Sequence, residues 1–313
     1  MNDIYLRTVR LLLSIAPDVF ENPLFVMKGG TAINLFVQDM PRLSVDIDVV
    51  YRIHQSTREE SLANIASELG RVTLAIEKQG FQVARSHIAP SRRDKGSEVK
   101  LVVFHDDVSV KVEVNYVFRG TLLEPVSRML VPAARELFSM EVAVPTLADA
   151  ELYGSKLVAA MDRQHPRDFY DAKYMYDAFG LPSDFIDAFV GYLVGHDRPV
   201  HEVLFAKPKS LTALHESEFV GMTIDDVPAT TLEEVQRRLL TELPQSLQDH
   251  HRRFLLSFVR LAPEWDLMPY PHLKDMPAIR WKLQNLEKLR KSNAAKFAMQ
   301  ETSLRQVLDA VAH

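Results

Sequence analysis

Apolar positions along this chain keep two different spacings, and the spacing changes character about halfway along. Residues 3–17 carry apolar side chains at helical intervals. Phe25–Val26–Met27 is a short apolar run that reads as a strand, ending at Lys28–Gly29–Gly30; a helical pattern resumes from Thr31 to Phe36. Arg42 to Tyr51 alternates around Asp46 and Asp48, which predicts a strand. Leu62, Ile65, Ala66, Leu69, Val72 and Ile76 fall near 3.6-residue spacing, so Glu59 to Gln79 is expected to be a helix that Gly80 terminates. Three further strands are expected: Phe81–Ser86, Glu98–Phe104 and Val108–Phe118. The polar stretch Ser91–Gly96 turns between the first two, and His105–Asp106–Asp107 closes a hairpin between the last two. From Leu147 onward strand-like runs are scarce and helical periodicity dominates, broken by a proline-rich connector at Pro263–Pro277. The expectation is an α/β (α+β) N-terminal domain with a mixed sheet, residues 1–145, followed by a mostly α-helical C-terminal domain, residues 146–313.

Composition leaves that picture intact and narrows the chemistry. The 313 residues suit two domains of ~100–200 residues each, and 47% apolar with 25% charged residues is ordinary for a globular protein. Cysteine is absent, which excludes disulfides, thiolate metal sites and cysteine nucleophiles and fits a reducing cytosol. A net charge of −5 means that a nucleic-acid partner has to meet a local basic face. The apolar stretch near Leu11–Ile15 is short and interrupted by charge, so it reads as a helix and not as a signal peptide. No run of ~18 apolar residues suggests a membrane span.

Candidate chemistry concentrates between Lys28 and Val50 (KGGTAINLFVQDMPRLSVDIDVV). Gly29 and Gly30 lie between a strand and a helix. Glycines there permit close backbone approach, and the helix start offers amides and a positive dipole end to a phosphate. In a strand Asp46 and Asp48 face one side, with Val45, Ile47 and Val49 turned to the other. Two adjacent carboxylates persist readily when a cation sits between them, and with phosphate oxygens they make a natural Mg²⁺ (or Mn²⁺) site. The competing reading is the polar face of an edge strand. Glu113, flanked by valines in Lys111–Asn115, is the candidate third ligand; simple alternation on a half-exposed strand explains it as well. Ser44 would share the face of the aspartates.

This order of strand, Gly-Gly, helix, DxD and a later lone acid is the pattern of the polymerase-beta-like nucleotidyltransferase superfamily. More narrowly, KGGTAINLF…PRLSVDIDVV resembles the opening motif of the AbiEii/AbiGii toxin family of nucleotidyltransferases. A second stretch, Tyr153-Gly-Ser-Lys156 through Asp162-Arg163-Gln-His-Pro-Arg167-Asp168-Phe-Tyr-Asp171, resembles that family's lysine and RD..D motif, and the C-terminal run Pro277-Ala-Ile-Arg280-Trp281-Lys282 resembles chains of this type less specifically. The resemblance implies a nucleotidyltransferase-like first domain and a helical domain completing its cleft. It implies an enzyme that moves an NMP from an NTP to an acceptor, with a tRNA 3′ end as the acceptor. It also implies a toxin or phage-defence role opposed by a separately encoded antitoxin, often with a winged-helix DNA-binding domain. Asp46, Asp48, Lys156 and Asp168 are the expected catalytic residues, with Asp171 the alternative to Asp168. Asp46, Asp48 and Glu113 are expected at the metal, and Gly29, Gly30, Thr31, Ser44 and Arg163 at the nucleotide. A small-molecule acceptor, a protein acceptor, or an inactive nucleotide-binding module would preserve the same motifs.

Physically, Lys156 and Arg163 lie two helical turns apart and share a face, a pair suited to a triphosphate. Pro166 ends that helix, and Asp168 and Asp171 are expected in the first turn of the next, where carboxylates complement the dipole. Two basic segments stand out: Arg92, Arg93, Lys95 and Lys100; and Arg280 to Lys296, where Ile279, Leu283, Leu286 and Leu289 form an apolar stripe that leaves the basic residues outward. A cationic helical face suits a phosphate backbone, and it equally suits solvent. The histidines show no HxH or HExxH spacing, which disfavours zinc, and His165, His250 and His251 are expected at the surface.

Overall fold

The structure is a computed structural model that describes residues 2–86, 99–115 and 117–311. The chain divides into two compact units: residues 1–148 with 220–226, and residues 149–219 with 227–313. No sequence signal marks the seven residues that return to the first unit.

In the first unit the elements run α1 (Asp3–Val19), β1 (Phe25–Lys28), α2 (Gly29–Phe36), β2 (Asp46–Tyr51), α3 (Arg58–Lys78), β3 (Gln82–Ser86), β4 (Val99–His105), β5 (Val108–Asn115), β6 (Val126–Met129), α4 (Pro132–Phe138) and β7 (Ala143–Thr146). The strands form one mixed sheet in the order β3-β4-β5-β2-β1-β7-β6. β2 runs parallel to β5 and antiparallel to β1, while β1 runs parallel to β7. Phe25 and Met27, Ile47, Val49 and Tyr51, and Val110, Val112 and Val114 are buried at alternate positions, which makes one sheet face apolar. α1 packs against β2, β5 and β7, and α3 against β3 and β4. The cap of α3 is a capping box: Glu60 N–H donates to Thr57 Oγ1, and Glu60 accepts from Thr57 N–H.

Two strand expectations need correction. β2 starts at Asp46 and not at Arg42. Arg42 makes an isolated bridge to Thr223, and Leu43 N–H donates to the Met222 carbonyl at 2.8 Å, so the returning segment 220–226 takes the hydrogen bonds a longer β2 would have used. β5 stops at Asn115, whose side-chain oxygen accepts from the amides of Val117 and Phe118 and turns the chain. The turn Ser91–Gly96, with Arg92, Arg93 and Lys95, lies outside the described residues, as does Glu98.

The second unit contains α5 (Asp149–Arg163), α6 (Pro166–Phe179), α7 (Ser183–Val194), α8 (Val200–Leu204), α9 (Thr212–Glu218), α10 (Ala229–Gln245), α11 (Asp249–Val259), α12 (Pro277–Ser292) and α13 (Ala294–Val311). α5 packs on α7 so closely that a Cβ on Gly154 would stand 2.6 Å from Ala188 Cβ and 2.7 Å from the Phe189 nitrogen. That contact requires glycine in the Tyr-Gly-Ser-Lys stretch. Among the described residues no helix is long and apolar enough to cross a membrane.

The expected outward basic face of α12 is interrupted. Arg280, Lys288, Arg290 and Lys291 are exposed. Lys282 is 5% exposed, and its ammonium donates to the carbonyls of His196, Asp197 and Arg198. It therefore closes the turn after α7. Glu287 pairs with Arg290 and Lys291 and removes part of the remaining positive charge.

Candidate active site

The register of the first unit sets four charges in one row across four adjacent strands. Lys28 on β1 stands opposite Asp48 on β2, Asp48 neighbours Glu113 on β5, and Glu113 stands opposite Lys100 on β4. The sequence of charge is plus, minus, minus, plus. Neighbouring strands are ~4.8 Å apart, so the two carboxylates are direct neighbours, an arrangement that costs energy unless cations compensate it. Lys100 supplies one compensation, with its Nζ 2.5 Å from Glu113 Oε1. Asp46 lies on the same face, beside Lys111. Both aspartates are half-buried and open to solvent on this face.

The glycine turn is fitted to these side chains. Gly29 has φ +76°, and a Cβ there would stand 2.1 Å from Asp48 Oδ2. A Cβ on Gly30 would meet Arg42 Nη2 at 2.6 Å and Ser44 Oγ at 3.0 Å. Each glycine thus makes room for a polar group of the PRLSVDID segment. Thr31 Oγ1 donates to the Asp46 carbonyl at 2.5 Å and lies 3.0 Å from Ser44 Oγ, which ties the first turn of α2 to the start of β2. Lys28, at the N-cap position of α2, makes no side-chain capping bond. The positive end of the helix therefore lies beside Asp48. Gly29, Gly30, Thr31, Ser44, Asp46, Asp48 and Glu113 all belong to this one constellation. Lys28, Lys100 and Arg42 join it, although no sequence spacing pointed to them.

Three carboxylates on one solvent-open face match a hard divalent cation in donor chemistry. They are not gathered around a point. Among the described residues, the group of three potential ligands whose donor atoms all lie within 4.8 Å of one another is Asp187, His250 and His251. Its hydrogen bonding argues against a metal. His251 Nδ1 accepts from the Gln248 amide at 3.2 Å, so the ring proton sits on Nε2 and is donated to Asp187 Oδ1 at 2.7 Å. That nitrogen then has no lone pair for an ion, and the contact serves as a clamp between α7 and α11. His251 is fully buried, and His165 caps α6 by accepting from the Arg167 amide, so neither is the surface residue expected.

In the second unit the lysine and RD..D motifs meet in a buried cluster. Lys156 Nζ is 2.8 Å from Asp168 Oδ1 and 2.5 Å from Asp171 Oδ2. Arg163 clasps Asp168 through Nε at 2.5 Å and Nη2 at 2.7 Å. The two cations expected to receive a triphosphate are thus balanced by two carboxylates. Asp171 lies beyond the first turn of α6 and is held by Lys156, not by the helix dipole. Burial alone would raise the Asp168 carboxyl, but Lys156 and Arg163 outweigh it and hold it well below the usual carboxylate range. Asp168 is fully buried, whereas the Arg163 side chain is 59% exposed and reaches solvent.

Comparison with known proteins bears on the family and on the fold. The family model described as the nucleotidyl transferase AbiEii toxin of a type IV toxin–antitoxin system matches residues 10–285. No curated protein sequence matches the chain. Among solved structures, the fold is similar to that of MenT4, a nucleotidyltransferase toxin from Mycobacterium tuberculosis H37Rv, with TM-score 0.57 and 18% identity over 90% of this chain and 91% of that one.

Proposed function

The chain belongs to the AbiEii nucleotidyl transferase toxin family, and from that premise we propose that it moves an NMP from an NTP to the 3′ end of a tRNA. The observation that carries this reading is the pair of half-exposed aspartates of β2, seated against a glycine turn whose every missing Cβ is replaced by a motif side chain.

Asp46 and Asp48 would hold a divalent cation, Mg²⁺ or Mn²⁺, with Glu113 joining once it leaves Lys100. Bound there, the cation would supply Lewis-acid polarisation of the α-phosphate and charge neutralisation of the leaving pyrophosphate. The amides of Gly29, Gly30 and Thr31 would orient the phosphates by hydrogen bonds at the positive end of α2. Thr31 and Ser44 hold that turn at a fixed distance from the carboxylate strand. Within the second unit, Lys156 and Arg163 are each engaged by a carboxylate. Asp168 keeps both of them in place as an ionised carboxylate, so its role is electrostatic. A separately encoded antitoxin, of the winged-helix DNA-binding kind, would keep the activity in check within the cytosol, consistent with phage defence.

The test is incubation of the protein with Mg²⁺, each labelled NTP in turn, and total RNA or a small-molecule extract. Label on tRNA is the expected result, lost in Asp46→Ala and Asp48→Ala. Label only on small molecules or on protein would replace the acceptor. Nucleotide binding without turnover would leave a binding module.

A further inference from the structure

Arg42 is a charged side chain with 2% of its surface exposed, in a segment that is neither helix nor strand. Burying a guanidinium costs free energy unless its donors are used, so its placement is informative. One donor, Nη1, is spent on the carbonyl of the next residue, Leu43, at 2.9 Å. The other end of the fork projects to the glycine turn: Nη2 would be 2.6 Å, and Cζ 3.5 Å, from a Cβ on Gly30. The backbone that carries it is held from behind by segment 220–226, through the Arg42–Thr223 bridge and the Leu43–Met222 hydrogen bond. Thr223 is itself fixed by donating to the Asp225 carbonyl at 2.7 Å. Two residues further on, Ser44 Oγ takes the remaining space beside Gly30. The returning segment thus holds the backbone that sets this guanidinium against the glycine turn.

We propose that Arg42 is a positioning residue for the nucleotide triphosphate: its guanidinium fixes the Gly29–Gly30 turn against the carboxylate strand and lays a permanent positive charge beneath the phosphate cradle. At 2% exposure it does not reach into solution as a mobile surface arginine would. It acts through the turn. A permanent charge behind backbone amides strengthens their attraction for an anion, and the effect grows with the number of phosphate charges on the ligand. A lysine keeps the charge but loses the planar fork that touches Leu43 and Gly30 together. The identity of the ligand rests on the nucleotidyl-transfer reading; the geometry does not.

The experiment uses the full-length protein with Mg²⁺ and compares wild type, Arg42→Lys and Arg42→Gln. Three quantities are read: equilibrium binding of an α,β-methylene NTP and of the corresponding NMP by calorimetry, KM and kcat of nucleotidyl transfer, and the thermal midpoint. The expected result is at least a tenfold loss of triphosphate-analogue affinity in Arg42→Gln, a much smaller loss for the monophosphate, a rise in KM exceeding the fall in kcat, and intermediate values in Arg42→Lys. Equal losses for triphosphate and monophosphate, or losses that track only the thermal midpoint across the two variants, would overturn the proposal and leave a structural arginine. Unchanged triphosphate affinity in a folded Arg42→Gln would overturn it as well. Where Arg42→Gln does not fold, the triphosphate-to-monophosphate ratio in Arg42→Lys decides on the same terms. Wild-type protein that binds the analogue but transfers nothing refutes the transferase reading alone, because the binding comparison still decides the role of Arg42.

Discussion

Replacing Lys156 by methionine should cost fold stability before it costs chemistry, and the size of the cost follows from burial. The ammonium touches two carboxylates whose side chains are both 0% exposed, while its own side chain is 7% exposed. Removing one partner of a buried ion pair leaves uncompensated charge and costs about 3–5 kcal/mol. A control of similar chemistry lies nearby: Lys173 pairs with Asp177 at 2.7 Å, but those side chains are 37% and 59% exposed, so Lys173→Met should cost only about 0.3–0.5 kcal/mol. Urea unfolding of both variants and wild type measures the two numbers, and the larger corresponds to roughly 6–20 °C in thermal midpoint. The pH dependence has a defined sign. In wild type Asp168 is depressed, so its contribution is complete above the unfolded carboxylate pKa of about 3.9 and is lost as pH falls through its lower folded value. Loss of the Lys156 ammonium weakens that depression, so the advantage of wild type over Lys156→Met should be full near neutral pH and should shrink as pH falls below about 3.9 toward the lower folded value. A cost below about 1 kcal/mol near neutral pH, or one that stays constant on acidification, would refute the account of the cluster. A loss of activity in a lysine variant at this position is interpretable only beside such a measurement.

Asp48→Asn removes one of two neighbouring like charges, so it should abolish transfer while leaving the thermal midpoint unchanged or slightly raised; a cooperative fold that still transfers nucleotide would exclude Asp48 from the metal site. Gly29→Ala meets both a positive φ and a Cβ placed 2.1 Å from Asp48 Oδ2, so it should cost about 1–3 kcal/mol in urea unfolding and lower kcat/KM at least tenfold; an active, fully stable alanine variant would show that the turn is not held by this contact. Burial pushes the Lys282 ammonium down to about 8. The unfolded chain keeps that proton to about 10.4, so wild-type stability should rise relative to Lys282→Met as pH climbs from 7 to 10, by up to about 1.4 kcal/mol per unit. Parallel pH profiles for the two proteins would contradict that burial effect.

How much of this was legible beforehand depends on the range of the interaction. β1, the glycine turn and the DxD strand are local patterns, and they stand where the period-2 and period-3.6 readings put them, apart from the first residues of β2. Those residues were misread because Arg42 and Leu43 spend their hydrogen bonds on Met222 and Thr223, far along the chain. β6, α4 and β7 carry too little apolar signal over their few residues to stand out, unlike β1, whose run Phe25–Val26–Met27 is wholly buried. Glu113 was found as a mid-strand acid, but its counter-ion was not, because the pairing of Lys100 with Glu113 is a property of register between β4 and β5. Lys282 shows the same limit on a helix: spacing placed it beside an apolar stripe, and only the tertiary fold supplied the three carbonyls that draw it inward.

The two acidic clusters differ in a way that assigns them different work. Asp168 and Asp171 are sealed from water and matched by two cations, which makes them neutral as a group. A carboxylate held well below its usual range is a poor proton acceptor at neutral pH, since general-base catalysis favours a pKa near the working pH. Asp168 is therefore a fixed charge that orients Lys156 and Arg163. Asp46, Asp48 and Glu113 are half-buried, and Glu113 pairs with Lys100, which is itself partly open to solvent. Solvent screens this partly open pair more than it screens the sealed Lys156 cluster, so a divalent cation can displace it at lower cost. The cluster whose charges can change partners is the one suited to bind and release a metal with its nucleotide. On that physical ground the proposed turnover falls to the strand aspartates, and a supporting role to the helix aspartates.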